Sequence, residues 1–436
     1  MPKTGGRSPA AYKALELIAA ARTADRGAGF AAEDDALEAM SKTPELLSSM
    51  YAFDLVQKRA KRPAGAPDKA LARPVTKVGI VGAGLMASQL ALLFVRRLQV
   101  PVVLTDLDQE RIDRGVGYVH NEIAKLEAKG RLTADKAARY RALISGAVDK
   151  AEGFAGADFV IEAVFEEMGI KKAVFADVEK VVSPECLLAT NTSSLSITEM
   201  AADLEHPERV VGFHFFNPVA VMPLLEIIKG ERTDEASLAT AFATGRTLKK
   251  TTILCQDSPS FIVNRLLGRF MSEVGRVVDE GTPIEVADAS FAGVVPMPPF
   301  VLLSLVGPAV ALHNNETLAK AFPDRFFVSP SLERFVAAGM TSFYGHDGKL
   351  DPRSLEFAEH PATPVALDSD AVRDRVLGAL ADEVRRMLDE GVVSAPQDID
   401  LAMITGAGFP FWNGGLTMLL DIAGISTKVS GKPIHG

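Results

Sequence analysis

The sequence is poor in cysteine, tryptophan and histidine, and it has no long uninterrupted apolar run. Its two cysteines, Cys186 and Cys255, lie far apart among apolar residues, so buried reduced thiols are expected rather than a disulfide framework. The seven histidines are scattered and form no metal-ligand spacing, so no metal site is predicted. The longest uncharged stretch, residues 294–315, contains four prolines, which a membrane-spanning helix tolerates badly, and it predicts buried loop and helix.

An excess of positive charge is also missing. The net charge is −9 and the pI is about 5.5, which argues against a nucleic-acid partner or an anionic membrane surface. The N-terminus has no apolar core of a secretory signal, so a cytoplasmic location is expected. A length of 436 residues with 47% hydrophobic residues predicts a soluble protein of several domains with ample core.

A glycine-rich turn between a strand and a helix begins the first informative region. Residues 77–81 form a short β-branched run, Gly82 and Gly84 follow, and a second predicted strand ends at Asp106, 22 positions after Gly84. This is the dinucleotide-binding pattern in its confirming context. Backbone N–H groups at the start of the helix, at Leu85 and Met86, are expected to bind a pyrophosphate. Asp106 is expected to bind a ribose diol and to repel a 2′-phosphate, so NAD is predicted rather than NADP.

Further along, polar residues follow the ends of predicted strands, where ligands bind in open α/β sheets. The pattern of residues 111–143 predicts one long helix. This helix is either simply exposed to solvent or a lid over an acidic ligand. Glu166 and Lys171 then follow a buried run and are predicted to lie near cofactor or substrate. Ser193 follows the next strand. Because Ser196 and Glu199 form a capping box, Ser193 is not needed for capping and is either a turn serine or a functional one.

His214 and Glu226 belong to the stretch from Val210 to Gly230, in which two apolar runs flank a polar turn. A carboxylate among leucine and isoleucine residues is costly to bury unless something pairs with it, and His214 is a candidate partner. Paired, the two would be a general base and the group that orients it. The alternative is a core histidine and an exposed glutamate on a half-buried strand.

The remainder of the chain is helical in pattern and contains an internal repeat. The segments around Arg265, Glu273 and Asp279 recur 110 positions later, around Arg375, Glu383 and Asp389. The predicted fold is an α/β Rossmann-type NAD-binding domain followed by a duplicated all-α C-terminal domain, with a helical N-terminal extension. The predicted boundaries are 1–74 for the extension and linker, 75–256 for the NAD-binding domain, and 257–350 and 351–436 for the two helical units.

Four motifs in one chain give a resemblance to a known family. GAGLMASQLA from Gly82, TNTSSL from Thr190, GFHFFNPVAVMPLLEII from Gly212 and DSPSFIVNRLL from Asp257 resemble L-3-hydroxyacyl-CoA dehydrogenases, in particular the dehydrogenase part of multifunctional fatty-acid β-oxidation proteins. Residues 1–70 resemble the helical tail that follows the hydratase domain in those proteins. The hydratase domain itself is absent, so hydratase and isomerase activity are not expected.

The resemblance implies NAD-dependent oxidation of a (3S)-3-hydroxyacyl-CoA to the 3-oxoacyl-CoA. It makes His214 the general base and Glu226 its partner, gives Ser193 and Asn264 hydrogen bonds to the substrate oxygen, and makes Asn217 a supporting polar group. It also places Glu166 and Lys171 on the nicotinamide side. A homodimer, or association with a thiolase or hydratase, is expected. The chain departs from the family's usual glycines at Ala87 and Gln89, and at Ser260 after Pro259.

Two other functions remain open at this point. One is a β-hydroxyacid dehydrogenase acting on a free acid, although such enzymes generally rely on a lysine base and this chain has a histidine and a glutamate at the matching place. The other is a non-catalytic subunit that only binds CoA esters within a β-oxidation complex.

Overall fold

The computed structural model describes residues 9–436, which form two compact units. One unit comprises the chain up to Arg59 together with Val263–Gly391 and Ala395–Gly436. The other comprises Ala60–Ile262 with Val392–Ser394 and contains the eight-stranded sheet. The N-terminal helices therefore belong to the same unit as the C-terminal helices. In the part of the chain that the structure describes, no helix is long and apolar enough to cross a membrane.

The N-terminal helices begin at polar caps. The side chain of Asp25 accepts a hydrogen bond from the N–H of Ala28, and that of Thr43 accepts one from the N–H of Leu46, so each satisfies a donor that a helix start leaves without an internal partner. The three helices are α1 (Pro9–Ala20), α2 (Arg26–Ser41) and α3 (Pro44–Gln57).

The α/β unit alternates strands and helices, as the sequence predicts. Its elements are β1 (Val78–Val81), α4 (Leu85–Arg97), β2 (Val102–Thr105), α5 (Gln109–Ala128), α6 (Ala134–Ala142), β3 (Ile144–Gly146), α7 (Lys150–Phe154), β4 (Phe159–Glu162), α8 (Met168–Glu179), β5 (Leu187–Thr190), α9 (Ile197–Ala201), β6 (Val210–Phe215), β7 (Leu224–Lys229), α10 (Glu235–Thr247) and β8 (Thr251–Gln256). The prediction of a single long helix over residues 111–143 is wrong. Gly130, with φ of +66°, follows α5, and a second helix and a short strand come after it.

The strand order in the sheet is β3-β2-β1-β4-β5-β6-β7-β8. Strands β1 to β6 pair in parallel, β7 is antiparallel to β6, and β8 is parallel to β7. Because β1 is followed by β2 on one side and by β4 on the other, the chain reverses direction across the sheet there. The carboxyl ends of the strands at such a reversal form the ligand crevice of open α/β sheets.

The core of the α/β unit lies on the sheet's faces. Strands β1, β2, β4 and β5 are buried along their whole length, which explains their continuous apolar sequences. Aromatic rings form a row of tilted and edge-on contacts from Phe94 through Phe159 and Phe213 to Phe215, with centroids 5.2 to 5.6 Å apart. Phe213 and Phe215 on β6 point into this core, so alternation along the strand sends His214 to the opposite face.

The C-terminal helices complete the helical unit. They are α11 (Val263–Asp279), α12 (Ile284–Ala289), α13 (Pro299–Val306), α14 (Pro308–Ala321), α15 (Pro330–Ala337), α16 (Pro352–Leu355), α17 (Ser369–Asp389), α18 (Pro396–Gly406), α19 (Leu416–Ile422) and α20 (Ile425–Ser430). The N-terminal helices join this unit through polar contacts: the hydroxyl of Tyr51 on α3 donates to Asp400 on α18 at 2.9 Å, and Arg59 pairs with Asp398 at 2.8 and 2.9 Å.

The predicted repeat is confirmed as two helices that pack against each other, α11 and α17. Their ion pairs are reciprocal: Arg265 binds Glu383 and Glu390, and Arg375 binds Glu273 and Glu280, at 2.5 to 2.7 Å. Each residue of one set lies 110 positions from its counterpart in the other set. The arginine of each copy thus contacts the glutamates of the other copy. This reciprocal contact is the pattern of a two-fold interface, here formed within one chain.

Candidate active site

The turn between β1 and α4 has the geometry that a pyrophosphate site needs. Gly82 has φ of +105°, and a Cβ atom there would lie 2.8 Å from the carbonyl oxygen of Ala163, so only glycine fits. Gly84 caps α4 without any side-chain hydrogen bond, and a Cβ atom there would meet nothing within 4 Å. The N–H groups of Leu85 and Met86 are the first of α4, where a helix leaves its donors without partners inside the helix. These features fit the pyrophosphate of NAD.

Asp106 lies just past β2, beside the same turn. Its Oδ2 accepts the N–H of Ala83 at 2.8 Å, and its Oδ1 accepts the N–H of Leu107 at 2.7 Å. The carboxylate thus fixes the glycine turn. Each oxygen has a second lone pair, so Asp106 can still accept from the hydroxyls of a ribose. The guanidinium of Arg111 lies 3.6 Å from Oδ1.

Lys171 and Glu166 meet at the end of β4, where a third residue joins them. The ammonium of Lys171 is 1% exposed and lies 2.9 Å from both carboxylate oxygens of Glu162 and 3.2 Å from Glu166. Glu162 is fully buried and also accepts from the hydroxyl of Thr190 and the N–H of Val164. Lys171 is therefore the counter-ion of two carboxylates.

Ser193 lies in the loop after β5, and Glu166 holds that loop. One oxygen of Glu166 accepts from the hydroxyl of Thr192 at 2.6 Å, from the N–H of Ser193 at 2.8 Å and from the hydroxyl of Ser193 at 3.2 Å. Burial alone would raise the pKa of Glu166, but the charge of Lys171 and these hydrogen bonds outweigh it and lower that pKa below its usual value. Glu166 is thus ionised and orients the serine loop.

His214 and Glu226 stand directly opposite each other on β6 and β7. Opposite residues of an antiparallel pair project to the same face, and Nδ1 of His214 lies 2.6 Å from Oε2 of Glu226. Their side chains are 5% and 0% exposed. With the carboxylate accepting from Nδ1, the tautomer is set, and Nε2 is the nitrogen that remains for chemistry. The two side chains are therefore paired in the structure. The alternative, a core histidine beside an exposed glutamate, is wrong.

Aromatic rings limit how the imidazole can move. The ring centroids of Phe216 and Phe261 lie 4.5 and 5.7 Å from that of His214. Phe261 is fully buried, and it follows Ser260 in a turn where both residues have positive φ, +53° and +60°. The backbone at Ser260 therefore keeps the left-handed conformation that favours glycine, although the residue is serine.

The remaining predicted residues lie in two places. Asn217 is exposed in the loop after β6, next to a cis peptide bond with Pro218. Its Oδ1 accepts from Nε2 of Gln89 on α4 at 3.1 Å. Asn264 is the second residue of α11 and belongs to the helical unit. The α/β unit thus brings Ser193, His214, Glu226 and Asn217 to neighbouring strand ends and loops.

Sequence reasoning missed two residues of this region. Glu162 is the last residue of a buried strand, and an acid there with lysine nine positions later was a readable signal of a buried ion pair. Gln89 appeared only as a departure from a glycine pattern, and nothing in its neighbours indicated the loop that it contacts. In residues 9–436, no group of three or more His, Cys, Asp or Glu side chains is arranged to hold a metal ion.

Comparison with known families finds matches over most of the chain. The model for the 3-hydroxyacyl-CoA dehydrogenase NAD binding domain matches residues 77–258. The model for the 3-hydroxyacyl-CoA dehydrogenase C-terminal domain matches residues 261–346 and 372–433, and each of these ranges contains one copy of the repeated segments.

Individual relatives agree with these matches. A fatty acid oxidation complex subunit alpha from Psychrobacter cryohalolentis is 31% identical over 414 residues, covering 89% of this chain. This chain spans only 56% of that relative's length. FadB2 of M. tuberculosis is 31% identical, with a TM-score of 0.58, over 66% of this chain and 100% of that one. A 3-hydroxybutyryl-CoA dehydrogenase from Escherichia coli K12 is 25% identical, with a TM-score of 0.68, over 84% of this chain and 97% of that one.

Proposed function

The chain belongs to the 3-hydroxyacyl-CoA dehydrogenase family, and on that premise we propose that it oxidises a (3S)-3-hydroxyacyl-CoA to the 3-oxoacyl-CoA in fatty-acid β-oxidation. NAD is the cofactor, and the residues that fit it are Gly82, Gly84, Leu85, Met86 and Asp106. The observation that carries the proposal is the buried pair of His214 and Glu226, with Nδ1 and Oε2 2.6 Å apart, in the same unit as the NAD turn.

His214 is the general base of the proposed reaction. Its Nε2 takes the proton of the substrate's 3-hydroxyl group as the C3–H bond breaks and the C3–O bond becomes a carbonyl. NAD, when bound, supplies the acceptor for the hydride that leaves C3. Glu226 stabilises the imidazolium that forms and keeps Nδ1 protonated, so that Nε2 is always the nitrogen available to the hydroxyl group. In the reverse direction, the same imidazolium returns the proton.

Ser193 and Asn264 are the proposed donors to the substrate oxygen, whose charge changes as the carbonyl forms. The position of Ser193 in a loop that an ionised Glu166 orients supports its role. The role of Asn264 rests on the family motif around it. Glu166 and Lys171 are proposed to act on the nicotinamide side, where Glu162 holds Lys171 in place and the charge of Lys171 helps to keep Glu166 ionised.

The family also suggests the setting in which the chain works. We place it in the cytoplasm, as a homodimer or beside a hydratase that supplies its 3-hydroxyacyl-CoA and a thiolase that consumes its 3-oxoacyl-CoA. A relative that matches most of this chain is named as a subunit of a fatty acid oxidation complex, which supports association with other enzymes. The four-part domain scheme, with boundaries after residues 74, 256 and 350, belongs to the same proposal.

The direct test is the oxidation of NADH by the purified chain in the presence of acetoacetyl-CoA, followed by the loss of NADH absorbance. We expect turnover with acetoacetyl-CoA and none with free acetoacetate. Turnover with the free acid alone would favour a β-hydroxyacid dehydrogenase. Binding of acetoacetyl-CoA and NADH by a folded chain without turnover would refute a catalytic role.

A further inference from the structure

Gln89 links the cofactor helix to the loop that follows His214. It projects from α4, five positions after Gly84. Its Nε2 donates to Oδ1 of Asn217 at 3.1 Å, and its Oε1 accepts the N–H of Val219 at 2.8 Å. One amide therefore contacts both sides of Pro218, the residue between Asn217 and Val219.

Lys250 holds the same loop from its other side. Its ammonium donates to the carbonyl oxygens of Val219 and Met222 at 2.5 and 2.6 Å, and lies 5.7 Å from the centroid of the Phe215 ring. The N–H of Val219 is thus bound by Gln89 while its carbonyl is bound by Lys250. With both polar groups of this residue engaged, the direction of its N–H is fixed.

A fixed N–H determines the orientation of two side-chain amides in turn. A backbone N–H can only donate, so Gln89 must present its oxygen to Val219. Its nitrogen then faces Asn217 and can only donate, so Asn217 must present its own oxygen. The Nδ2 group of Asn217 is left with two N–H donors, and it makes no hydrogen bond to another residue in the described chain.

We propose that Gln89 is a positioning residue: through Val219 it sets the Asn217 amide so that Nδ2 donates to an acceptor oxygen of the bound ligands. This rests on the proposed function. The acceptor is an amide- or thioester-type carbonyl oxygen, supplied either by the nicotinamide carboxamide or by the acyl-CoA. A glycine at position 89 would leave the Asn217 amide free to turn either way.

The test compares Gln89→Glu with Gln89→Met. In Gln89→Glu one carboxylate oxygen still accepts from Val219, while the other repels Oδ1 of Asn217 and turns its amide round. We expect a threefold to tenfold loss of kcat/KM with acetoacetyl-CoA, about the worth of one hydrogen bond, and a smaller loss in Gln89→Met. The dissociation constant of NADH, measured by fluorescence, rises in Gln89→Glu if the acceptor is the nicotinamide, whereas the KM for acetoacetyl-CoA rises if it is the acyl-CoA.

Asn217→Ala provides the control for charge. In that background the amide to be oriented is absent, so Gln89→Glu should cost nothing further. If Gln89→Glu is equally harmful with and without Asn217, the added negative charge explains the loss and the proposal is overturned. A loss in Gln89→Met as large as that in Gln89→Glu would also contradict it.

Hydrogen–deuterium exchange of the ligand-free chain tests the tether without any activity. The N–H of Val219 should exchange faster in Gln89→Met than in the natural chain and stay protected in Gln89→Glu, which keeps the acceptor. Equal exchange in all three chains would show that Gln89 does not hold the loop. If the natural chain proves inactive while this pattern is seen, the proposed function fails and the tether stands.

Discussion

Glu226 and Glu162 are two fully buried carboxylates on strands of one sheet, and they differ in the group that each one binds. Glu162 accepts from an ammonium, a hydroxyl and a backbone N–H, and its lysine also contacts Glu166. Glu226 holds an imidazole, which has one further nitrogen. Lys171 is enclosed by two carboxylates, whereas Nε2 of His214 remains available for proton transfer.

The difference shows why burial of a charge does not identify a catalytic group. Both carboxylates would be costly to bury alone, and both have a close partner. Only the pair with histidine combines an orienting charge with a base that can change protonation during a reaction. The Glu162–Lys171 pair instead fixes the ends of β4 and β5 and the loop that carries Ser193.

The largest expected effect comes from breaking the structural pair. Lys171→Met leaves Glu162 buried and without its counter-ion, which costs about 3–5 kcal/mol of the free energy of unfolding. The matched control is Lys172→Met, one position along α8, which removes an ion pair with Asp203 at the surface and should change stability little. Urea unfolding of both variants measures the difference. Equal, small losses in the two would show that the Glu162–Lys171 pair does not stabilise the fold.

At the catalytic pair of His214 and Glu226, the expected loss is one of activity. Glu226→Gln keeps the size of the side chain and a hydrogen-bond acceptor for Nδ1, but it removes the charge that stabilises the imidazolium. We expect kcat with acetoacetyl-CoA to fall about tenfold to a hundredfold, which is part of the roughly 10²–10⁴-fold contribution of general acid–base catalysis. Glu235→Gln, at an exposed site in the same unit, should leave kcat unchanged. Full activity of Glu226→Gln would show that Glu226, like Glu162, has only a structural role.

Asp106 is a third carboxylate, and its prediction concerns the cofactor. Asp106→Ala should weaken NAD binding about tenfold to a hundredfold, because charge-assisted hydrogen bonds to the ribose are lost. Binding of NADP should fall less or improve, since Arg111 lies 3.6 Å from the present carboxylate and would no longer be neutralised by it. Michaelis constants for both cofactors measure the effect, with Asp113→Ala on α5 as control. Unchanged discrimination would refute the assignment of Asp106.

The smallest effect concerns the loop after His214. Burial, and then the charge of Arg97, lower the pKa of Lys250 to about 8 in the folded chain, whereas an unfolded lysine titrates near 10.4. Between these values the unfolded state binds more protons, so this lysine makes stability rise with pH from about 8 upward. The melting temperature of the natural chain should therefore rise relative to that of Lys250→Met as the pH increases over this range. Lys249→Met, at an exposed position, should follow the natural chain. Parallel curves for Lys250→Met would contradict the shift.

Local pattern was enough to predict the dinucleotide turn, whereas it gave the pairing of His214 with Glu226 only as one of two interpretations. The strand, the glycines, the helix and the acid of that turn are all close in sequence. The pattern did not predict the register that puts these two residues opposite each other. It also missed β3, because three residues with two of them exposed carry no apolar run.

Contacts between distant segments were beyond the sequence pattern. The position of Lys171 near a ligand crevice was predicted, but its burial between Glu162 and Glu166 depends on how β4 and α8 pack. Gln89 and Val219 are far apart in the chain and meet only because α4 and the loop after β6 lie at the same edge of the sheet. The repeat predicted that α11 and α17 carry matching arginine and glutamate residues. Its spacing did not predict that the arginine of each helix pairs with the glutamates of the other.

The role of His214 as the general base is tested by the single-turnover rate of His214→Gln with acetoacetyl-CoA and NADH, measured together with NADH binding in the same preparation. We expect the rate to fall at least about a hundredfold, as for the loss of a general acid–base group, while the dissociation constant of NADH stays unchanged. A near-normal rate with normal NADH binding would contradict this role, because proton transfer would then not depend on the histidine that Glu226 orients.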